Sequence, residues 1–393
     1  LAIFGKISNS DLSNSYSYSI FTSTKKLPEN WNDLAISNIF LSKEYLQIIE
    51  KSAPENMICH FIGIFHDTEL IGIALSQFLD LNKLQSFGER DKCIKTMVRN
   101  FIFRNFSSHI LIIGNNMLTG QNAFAISEKA EPTKIIQALN KASDELKNHF
   151  KSIGKKIHLT TIKDFSTEEI DVFDIPEFKD YLKFSTQPNM TFPIRENWEK
   201  EQDYIDALSK KYRDQYKRTR KKALGIEKRK MHLDEIIANE AVIYDLYFHV
   251  AQNASFNTFF LAKNHFRIFK EKLKDKFLFY GYFLDEKLIG FNTLIKNGTV
   301  LDTYFLGYDD SVQREKMLYL NMLYDMVAYS INKGFKEIIL ARTALEIKSS
   351  VGAEPIKMYG LMKHSNFFIN KKLGYFFKYL EPETIWKERN PFK

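Results

Sequence analysis

The chain has 393 residues, which is long for one ordinary domain and comfortable for two. With 44% hydrophobic and 26% charged residues but only 16 glycines and 9 prolines, its composition excludes collagen-like, low-complexity and disordered proteins. The net charge of +8 predicts an anionic partner, which leaves nucleic acid, a nucleotide-bearing cofactor and a membrane surface open.

The cysteine content and the hydropathy pattern bear on the compartment. Cys59 and Cys93 are the two cysteines, too few for the disulfide framework of a secreted protein of this length, so we expect a reducing compartment. No window approaches the ~20 apolar residues of a membrane-spanning helix. The Ser-rich stretch 1–25 lacks the apolar core of a signal peptide. The sequence therefore predicts a cytoplasmic protein with no transmembrane segment.

Two parts of the chain repeat one another. Residues 63–72 read GIFHDTELIG and residues 281–290 read GYFLDEKLIG, so six of ten positions agree. Upstream, FLSK at 40–43 matches FLAK at 260–263, at an offset of 220 against 218 for the first pair. Because order and spacing are both kept, we predict two copies of one domain. The alternative is that the two segments are merely similar short β-hairpins.

The apolar periodicity predicts the same order of elements in both copies. The first copy is predicted to contain a helix after 43, a hairpin turning at 67–69, an insertion at 80–105, a strand at 110–113, a helix from Pro132 to Gly154 and a strand at 157–162. The second copy is predicted to contain a helix after 263, a hairpin turning at 285–287, a strand at 299–306, a helix at 313–332 and a strand at 337–341. Helix, antiparallel meander, helix and strand make an α+β domain with a mostly antiparallel mixed sheet flanked by helices. We place the domains at 1–180 and 181–393, with a linker near 165–195.

This order of elements resembles the GNAT acyltransferase fold, and two copies in tandem resemble the FemAB-like group of peptidoglycan-related acyl and aminoacyl transferases. The resemblance covers residues 185–365 well and the first half weakly. It rests on QPNM at 187–190 before Trp198, on YIDALSKKYR at 204–213, on the meander and helix at 277–333, and on RTALEIK at 342–348 before GAEP at 352–355. It implies transfer of an acyl or aminoacyl group from a carrier to a small-molecule or peptide amine. The second domain is expected to be catalytic and the first a degenerate structural partner.

The resemblance also implies where a donor binds. A strand at 301–307 would expose backbone groups to a pantetheine arm, and the loop 308–314 with the next helix would meet the pyrophosphate. The residues expected to bind the donor are Gly307, Gln313, Arg314 and Lys316. Acyl-CoA is expected as co-substrate, with no tightly bound cofactor and no metal. The chain departs from the family pattern, [RQ]-x-x-G-x-[GA], because residues 313–318 contain no glycine. It also lacks, between 220 and 256, a helical arm for tRNA.

The positive charge is concentrated in one segment. Residues 210–230 hold eleven Lys or Arg against Asp214 and Glu227, a net charge of +9, so the remaining residues sum to −1. The segment is either a solvated helix face or a site for an anionic substrate or carrier, for which Arg213 and Arg218 are candidate contacts. Nucleic acid other than tRNA is disfavoured because only Tyr212 and Tyr216 are interleaved with the cations.

Candidate catalytic residues follow from the chemistry of amine transfer, which needs a base for the nucleophile. Glu346 and Asp302 are candidate bases, and Tyr304 and Tyr324 are candidate proton donors to the leaving group. Asp302 and Tyr304 are two apart on one strand and hence on one face, and Asn292 is expected on that face too. Main-chain N–H groups near Gly307 would stabilise the oxyanion. The candidate substrate-binding residues are Arg342, Lys348, Asn292, Asn253, Phe256, Arg213 and Arg218.

Each candidate has a structural alternative: a surface salt-bridge cluster for 342–348, a solvated sheet face for Asp302 and Tyr304, and a core position for Tyr324. At the level of the whole protein, the prediction is an N-acyltransferase that uses acyl-CoA. The alternatives are an aminoacyl-tRNA-dependent transferase acting on cell-wall peptides, with 210–230 replacing the missing arm, and an inactive GNAT-fold scaffold.

Overall fold

A computed structural model describes residues 16–84, 107–185, 187–254, 257–380 and 386–393. Cys93, Phe256 and most of the insertion predicted at 80–105 lie outside the described residues. The strands in chain order are β1 (Tyr16–Phe21), β2 (Met57–His66), β3 (Glu69–Asp80), β4 (His109–Ile113), β5 (Phe124–Ile126), β6 (Leu159–Phe165), β7 (Leu182–Ser185), β8 (Asn189–Pro193), β9 (Glu227–Lys230), β10 (Phe277–Leu284), β11 (Lys287–Asn297), β12 (Val300–Tyr308), β13 (Glu337–Ala341), β14 (Glu354–Ile356) and β15 (Tyr359–His364).

The α-helices in chain order are α1 (Trp31–Leu34), α2 (Lys43–Ser52), α3 (Pro132–Ser152), α4 (Glu201–Ala207), α5 (Lys210–Lys222), α6 (Leu233–Ala238), α7 (Glu240–Gln252), α8 (His265–Leu273), α9 (Asp310–Lys316), α10 (Leu318–Asn332), α11 (Leu345–Ser349) and α12 (Phe367–Leu380). Within the described ranges, none of these helices combines the length and apolar character that crossing a bilayer requires.

The described residues form two compact units. Unit 1 is drawn from residues 1–186, 255–262 and 357–382, and unit 2 from 187–254, 263–356 and 383–393. The division therefore differs from the expected one at 180/181, because the chain returns to unit 1 near its end. The expected linker at 165–195 contains β7, which pairs with β15 in unit 1, and β8, which pairs with β13 in unit 2.

The sheet of unit 1 has the strand order β1-β2-β3-β4-β6-β15-β7, and β5 pairs with β3. Its pairs are antiparallel except β4 with β6, which are parallel and joined through α3. Helix α3 begins with Pro132 in its first turn, where a missing N–H costs nothing. A stripe of buried residues at helical spacing packs it into the core, and includes Ile135, Leu139, Ala142 and Leu146.

The sheet of unit 2 has the order β14-β8-β13-β12-β11-β10-β9, and again a single parallel pair, β12 with β13, is joined through a helix, here α10. One face packs on α4, α5 and α10 around residues such as Leu278, Leu301, Val327 and Ile338. The opposite face of the meander packs on α7 and α8, where Phe266 contacts Phe279 and Phe291. The expected α+β class with two mixed sheets flanked by helices is confirmed.

The repeated segments occupy the same place in both units and carry the same irregularity. The hairpin β2–β3 shifts register between Ile64, paired with Gly72, and Phe65, paired with Leu70, so that Ile71 is bulged out. The hairpin β10–β11 shifts at the corresponding pairs and bulges Ile289. A shared bulge is a specific feature rather than a general property of hairpins, so it supports the duplication.

The expected helix at 313–332 is two helices. Helix α9 ends at Lys316, Met317 has a left-handed φ of 50°, and α10 begins at Leu318. The loop expected at 308–314 is therefore largely helical, because Asp309 caps α9 by accepting a hydrogen bond from the Ser311 N–H at 2.9 Å.

Gly307 lies where α7 crosses β12. A side chain there would place its Cβ 2.5 Å from the main-chain carbon of Leu246 and 2.6 Å from the main-chain nitrogen of Tyr247. Because these are backbone atoms, the helix as a whole would have to move. The glycine is thus required for close packing of α7 on the strand.

We expect Gly307→Ala to lower the free energy of unfolding by about 1–3 kcal/mol or more, the usual cost of overpacking. Urea denaturation measures it. Gly374→Ala is the matched control, because its Cβ would meet Leu182 at an ordinary 3.4 Å and alanine favours a helix interior. Equal stability of the two variants would contradict the packing role of Gly307.

Candidate active site in unit 2

The parallel strands β12 and β13 are paired over three positions and then diverge. They pair only from Val300 with Glu337 to Asp302 with Ile339, although β12 continues to Tyr308 and β13 to Ala341. On the other side of β12, the register with β11 slips after Thr303, so that Tyr304 and Phe305 together oppose Thr293. Such a bulge bends the strand. Residues 303–306 remain only partly buried, although rings of α7 and α8 pack against Phe305 and Tyr304.

Asp302 lies at the last paired position before the strands diverge. Asp302 is 6% exposed, and its Oδ2 atom has no hydrogen-bond partner among the described residues. Burial raises the pKa of the carboxyl to about 7, with Glu337 adding to the rise and Asn297 opposing it. A carboxyl that changes its charge near neutral pH can accept a proton from an amine and release it again.

Tyr304 lies on the same face of β12 as Asp302, as expected. Its hydroxyl is 2.9 Å from Nε2 of His265 on α8, and its ring also packs against Phe269. His265 is fully buried and stacks beside the tyrosine ring, so the hydroxyl is held in one place. Residues two apart on a strand are about 7 Å apart. That separation accommodates a reacting carbonyl carbon between a base and a proton donor.

Asn292 was expected on this face, and the structure contradicts that expectation. Its partner on β10 is Tyr280, whose ring meets Tyr329 of α10, whereas Asp302 pairs with Ile295, three residues further along β11. Positions three apart on a regular strand point to opposite faces. Asn292 is 1% exposed, and neither of its amide atoms has a partner among the described residues.

The segment after β13 has a strained backbone and a buried ammonium. Ala341, Thr343 and Ala344 have φ angles of 61°, 70° and 50°, a conformation that costs energy for residues other than glycine. Lys348 lies 5% exposed on α11, and its Nζ donates hydrogen bonds to the carbonyl oxygens of Ala341 at 3.2 Å and Arg342 at 3.3 Å. It thereby holds the strained turn from inside.

Both cations of this segment are affected by burial. Burial lowers the pKa of Lys348 to about 7 and that of Arg342 to about 10. Burial therefore disfavours the charged form of both groups. The Lys348 ammonium is used inside the protein by the Ala341 and Arg342 carbonyls, so its expected contact with substrate gives way to a structural role.

Glu346 points away from Lys348 although both lie on α11. Its carboxylate accepts hydrogen bonds from Arg389, through Nη2 and, at 3.0 Å, through Nε. This pairing holds the pKa of the Glu346 carboxyl below its usual value. The sequence-predicted cluster of Arg342, Glu346 and Lys348 is therefore split in two, and an ion-paired carboxylate is the weaker candidate for the base.

An open cavity of about 440 Å³ lies beside this ion pair. Its lining combines cationic, carboxylate, hydroxyl, amide, aromatic and aliphatic groups: Lys211, Tyr212, Gln215, Glu346, Ile347, Ser350 and Arg389. Gln215 continues into the core, where its Nε2 donates to the hydroxyl of Tyr324 at 3.1 Å. The cavity therefore has a polar floor and a wall with two cations and one carboxylate, a lining suited to a small zwitterionic group.

Tyr324 itself is a core residue. It is 1% exposed, its ring meets Tyr216 edge to face, and burial raises the pKa of its hydroxyl to about 12. The structure thus places it under the cavity rather than in it, the alternative that the sequence left open for a helical tyrosine.

The cations of helix α5 fall into two groups, those engaged in contacts within the protein and those on its exposed side. Arg220 turns inward: its Nη1 donates to Asp325 at 2.6 Å and its Nη2 to Glu201 at 3.0 Å. Tyr282 and Tyr216 complete this partly buried network by donating from their hydroxyls to Asp325 and Glu201 respectively. Arg213 is half-buried and caps the preceding turn by donating to the Leu208 carbonyl at 2.8 Å.

The other cations of the helix lie on its exposed side. This basic face consists of Lys210, Lys211, Lys217, Arg218, Lys221 and Lys222. Asp214 is the acidic residue among them. Lys211 belongs both to the basic face and to the wall of the cavity. An anion bound along the helix would therefore lead into the cavity.

The residues expected to bind the CoA pyrophosphate lie on the short helix before α10, and their role stays a prediction. Gln313, Arg314 and Lys316 lie on α9, and the Met317 N–H donates to the Gln313 carbonyl. The carbonyl oxygens of Lys316 and Met317 each accept from the Asn321 amide at 3.2 Å. These contacts fix the joint between α9 and α10, which contains none of the glycines of the family pattern. Among the described residues, no group of three or more His, Cys, Asp or Glu side chains could hold a metal ion.

Asn253, one of the expected substrate-binding residues, uses its side chain to cap its own helix. Asn253 ends α7 by donating from Nδ2 to the His249 carbonyl at 2.8 Å, while Phe256 is outside the described residues. Residues 220–254 form β9, α6 and α7, short elements rather than a long helical arm, as the sequence predicted.

Sequence reasoning missed His265 and Arg389. His265 sits 39 positions before its partner Tyr304, and Arg389 sits 43 after Glu346. The one available signal for His265 was its place two residues after the repeated FLAK motif. Arg389 had none, because nothing in a charged C-terminal stretch indicates which carboxylate it meets.

Solved structures of similar fold are distant in sequence. A structure described as FemX is 12% identical, covering 92% of this chain and 98% of that chain with a TM-score of 0.50. A conserved protein of unknown function from Bacteroides thetaiotaomicron VPI-5482 is 10% identical, covering 92% and 99% at 0.49. A tandem GNAT protein from the clavulanic acid biosynthesis pathway is 9% identical, covering 89% and 99% at 0.48. No family model matches the sequence, and no match was found among curated proteins.

The likeness to FemX shows the fold. Together with the repeated hairpins and the single parallel pair in each unit, it places the chain among proteins of tandem GNAT-like, FemAB-like fold. The resemblance stated from the sequence is confirmed at this level.

Proposed function

We propose that unit 2 transfers an acyl or aminoacyl group from an anionic carrier to an amine. The observation that carries the proposal is the place where β12 and β13 diverge, with a buried carboxyl and a held tyrosine hydroxyl on one face of β12. In a fold of this type, the acyl group is expected to bind where these two strands diverge. The neighbours' fold supports a transferase only in general terms.

The chemistry assigns a role to each of three residues. The amine nitrogen attacks the carbonyl carbon of the donor, a C–N bond forms, and the bond from that carbon to the carrier's oxygen or sulfur breaks. The Asp302 carboxylate takes the proton that the amine loses, and Tyr304 gives a proton to the departing oxygen or sulfur. His265 is a positioning residue that keeps the tyrosine hydroxyl in place.

The donor is proposed to be held by charge rather than by a glycine loop. The joint between α9 and α10 contains no glycine, whereas α5 presents six exposed cations that lead to the cavity. The cavity lies with α5 and α10 on one face of the sheet, and Asp302 and Tyr304 face α8 on the other, so the transferred group would reach them through the gap between β12 and β13. A long polyanion such as an aminoacyl-tRNA uses such a face better than CoA does. This favours the aminoacyl-tRNA-dependent alternative over acyl-CoA, with a small-molecule or cell-wall peptide amine as acceptor.

The experiment compares donors on the full chain. Transfer of a labelled group to a panel of amines is measured with acetyl-CoA, longer acyl-CoAs and aminoacyl-tRNA. The proposal expects transfer from aminoacyl-tRNA, with binding that weakens steeply with salt. Transfer from acyl-CoA alone would reject the donor assignment, and no transfer from any donor would favour the inactive scaffold.

The basic face gives a sharper test of the donor. We expect the triple variant Lys217→Glu, Arg218→Glu and Lys221→Glu to raise KM for the charged tRNA by roughly 10–100-fold, because three phosphate contacts are lost. It should leave kcat at saturation close to normal. The control reverses three exposed lysines of unit 1, Lys51, Lys129 and Lys179. A comparable rise in KM in the control would mean that only overall charge matters.

A further inference from the structure

Helix α12 of unit 1 exposes large aromatic side chains. Phe367 is 63% exposed, Phe368 77% and Tyr375 73%. Among the described residues, the other large apolar side chains that are strongly exposed are aliphatic and scattered, and all the aromatic ones are on this helix. A concentration of exposed apolar surface on one element marks an interaction surface.

The helix is anchored so that this side points outward. Asn366 caps its first turn by accepting from the N–H groups of Phe368 at 2.9 Å and Ile369 at 3.1 Å. Asn370 ties it to unit 1 by donating to the Asp180 carbonyl at 2.9 Å and accepting from the His364 N–H at 2.8 Å. The exposure of the aromatic rings therefore belongs to the folded unit and is not fraying of a chain end.

The charge on the helix has one sign. Residues 365–380 contain Lys371, Lys372 and Lys378 and no Asp or Glu. Lys371 and Lys372 are exposed, and Nζ of Lys371 lies 4.3 Å from the ring centre of Phe367. Lysine side chains thus share one surface with the aromatic rings, which we call the aromatic face: Phe367, Phe368, Lys371, Lys372 and Tyr375.

We propose that the aromatic face docks this protein on an anionic lipid surface. Aromatic rings are favoured at the boundary between headgroups and acyl chains, and lysines beside them are attracted to anionic headgroups. A second copy fits less well. Two aromatic faces meeting symmetrically would bring lysines against lysines with no acid between them. The inference goes beyond the proposed transfer activity and does not depend on it.

The test measures co-sedimentation of the full chain with vesicles. We expect binding to vesicles of phosphatidylglycerol and phosphatidylcholine and much weaker binding to phosphatidylcholine alone, with a strong decrease in high salt. The variants Phe367→Ser with Phe368→Ser, and Lys371→Glu with Lys372→Glu, should each lower the partition coefficient about tenfold or more. Thermal melting confirms that the variants fold.

Two controls separate this surface from others. Ile36→Ser removes an 89% exposed aliphatic side chain of the same unit and should leave vesicle binding unchanged. Lys217→Glu with Lys221→Glu on α5 tests whether any basic surface suffices. The proposal is overturned by no binding to anionic vesicles, or by an equal loss in the α5 variant. It is also overturned by a lipid-free dimer in sedimentation velocity that the Phe367 and Phe368 substitutions dissolve.

Discussion

Asp302→Asn is expected to remove most of the transfer activity while making the folded protein more stable at neutral pH. Loss of a general base typically costs about 10²–10⁴-fold in rate. The stability gain has a different origin. Burial raises the pKa of the carboxyl to about 7, so the folded state resists its ionisation. Asparagine has nearly the same shape and no charge to bury.

The sign of the pH dependence follows from the raised pKa. Between the model-peptide pKa near 4 and about 7, the folded state holds a proton that the unfolded chain has lost. Stability therefore falls as pH rises through this window and levels off above it, by up to about 4 kcal/mol for a shift of ~3 pKa units. The variant should lose this slope, as urea unfolding between pH 4 and pH 8 would show.

The rate should follow the opposite trend. Because the base must be ionised, wild-type transfer is expected to rise with pH through about 7 and the residual rate of Asp302→Asn to lose that rise. Glu346→Gln supplies the comparison, since its carboxylate is paired with Arg389 and should matter less. A larger loss in Glu346→Gln than in Asp302→Asn would return the role of base to Glu346. Asp275→Asn, at an exposed turn, controls for substitution in general.

Asp325→Ala is expected to destabilise unit 2 strongly, by up to about 3–5 kcal/mol. The Asp325 side chain accepts from Arg220 at 2.6 Å and from the Tyr282 hydroxyl at 2.9 Å, and Lys228 approaches it at 3.6 Å. Removing it leaves a partly buried guanidinium with Glu201 as its remaining carboxylate and strands a buried hydroxyl.

The measurement is the midpoint and slope of urea unfolding. Glu69→Ala is the matched control, because its pair with Lys129 at 3.3 Å lies on the surface with both side chains more than half exposed. An exposed pair contributes about 0–1 kcal/mol. If the two substitutions cost the same, the network around Arg220 would be dispensable and the basic segment could be treated as surface alone.

Much of the fold could be read from local patterns. The hairpins were predictable because glycines 63, 72, 281 and 290 and the apolar residues between them recur at one spacing. Helix α3 followed from Pro132, Gly154 and a stripe of apolar residues. These signals act over a few residues, where backbone sterics and the faces of helices and strands dominate. No local pattern indicates that β15 pairs with β6 of unit 1. Pairing between strands nearly two hundred residues apart depends on the assembled sheet.

The candidate site was only partly predictable for a similar reason. Asp302 and Tyr304 were placed on one face correctly, since two positions on one strand define it. Asn292 was misplaced, because its face depends on the register between strands. The break between α9 and α10 at Met317 was not predictable either, because methionine has no preference for the left-handed backbone conformation that it adopts there.

Two related α+β halves, and a net charge of +8 that is the charge of one segment, were predictable from the order of residues alone. The role of each charge in that segment depends on the folded protein. The tertiary structure turned Arg220 inward to Asp325 and left six cations of α5 outward, and it pointed Lys348 into the core while Glu346 met Arg389. The physical reason is that composition counts charges, whereas their free energy depends on burial and on the distance to a partner.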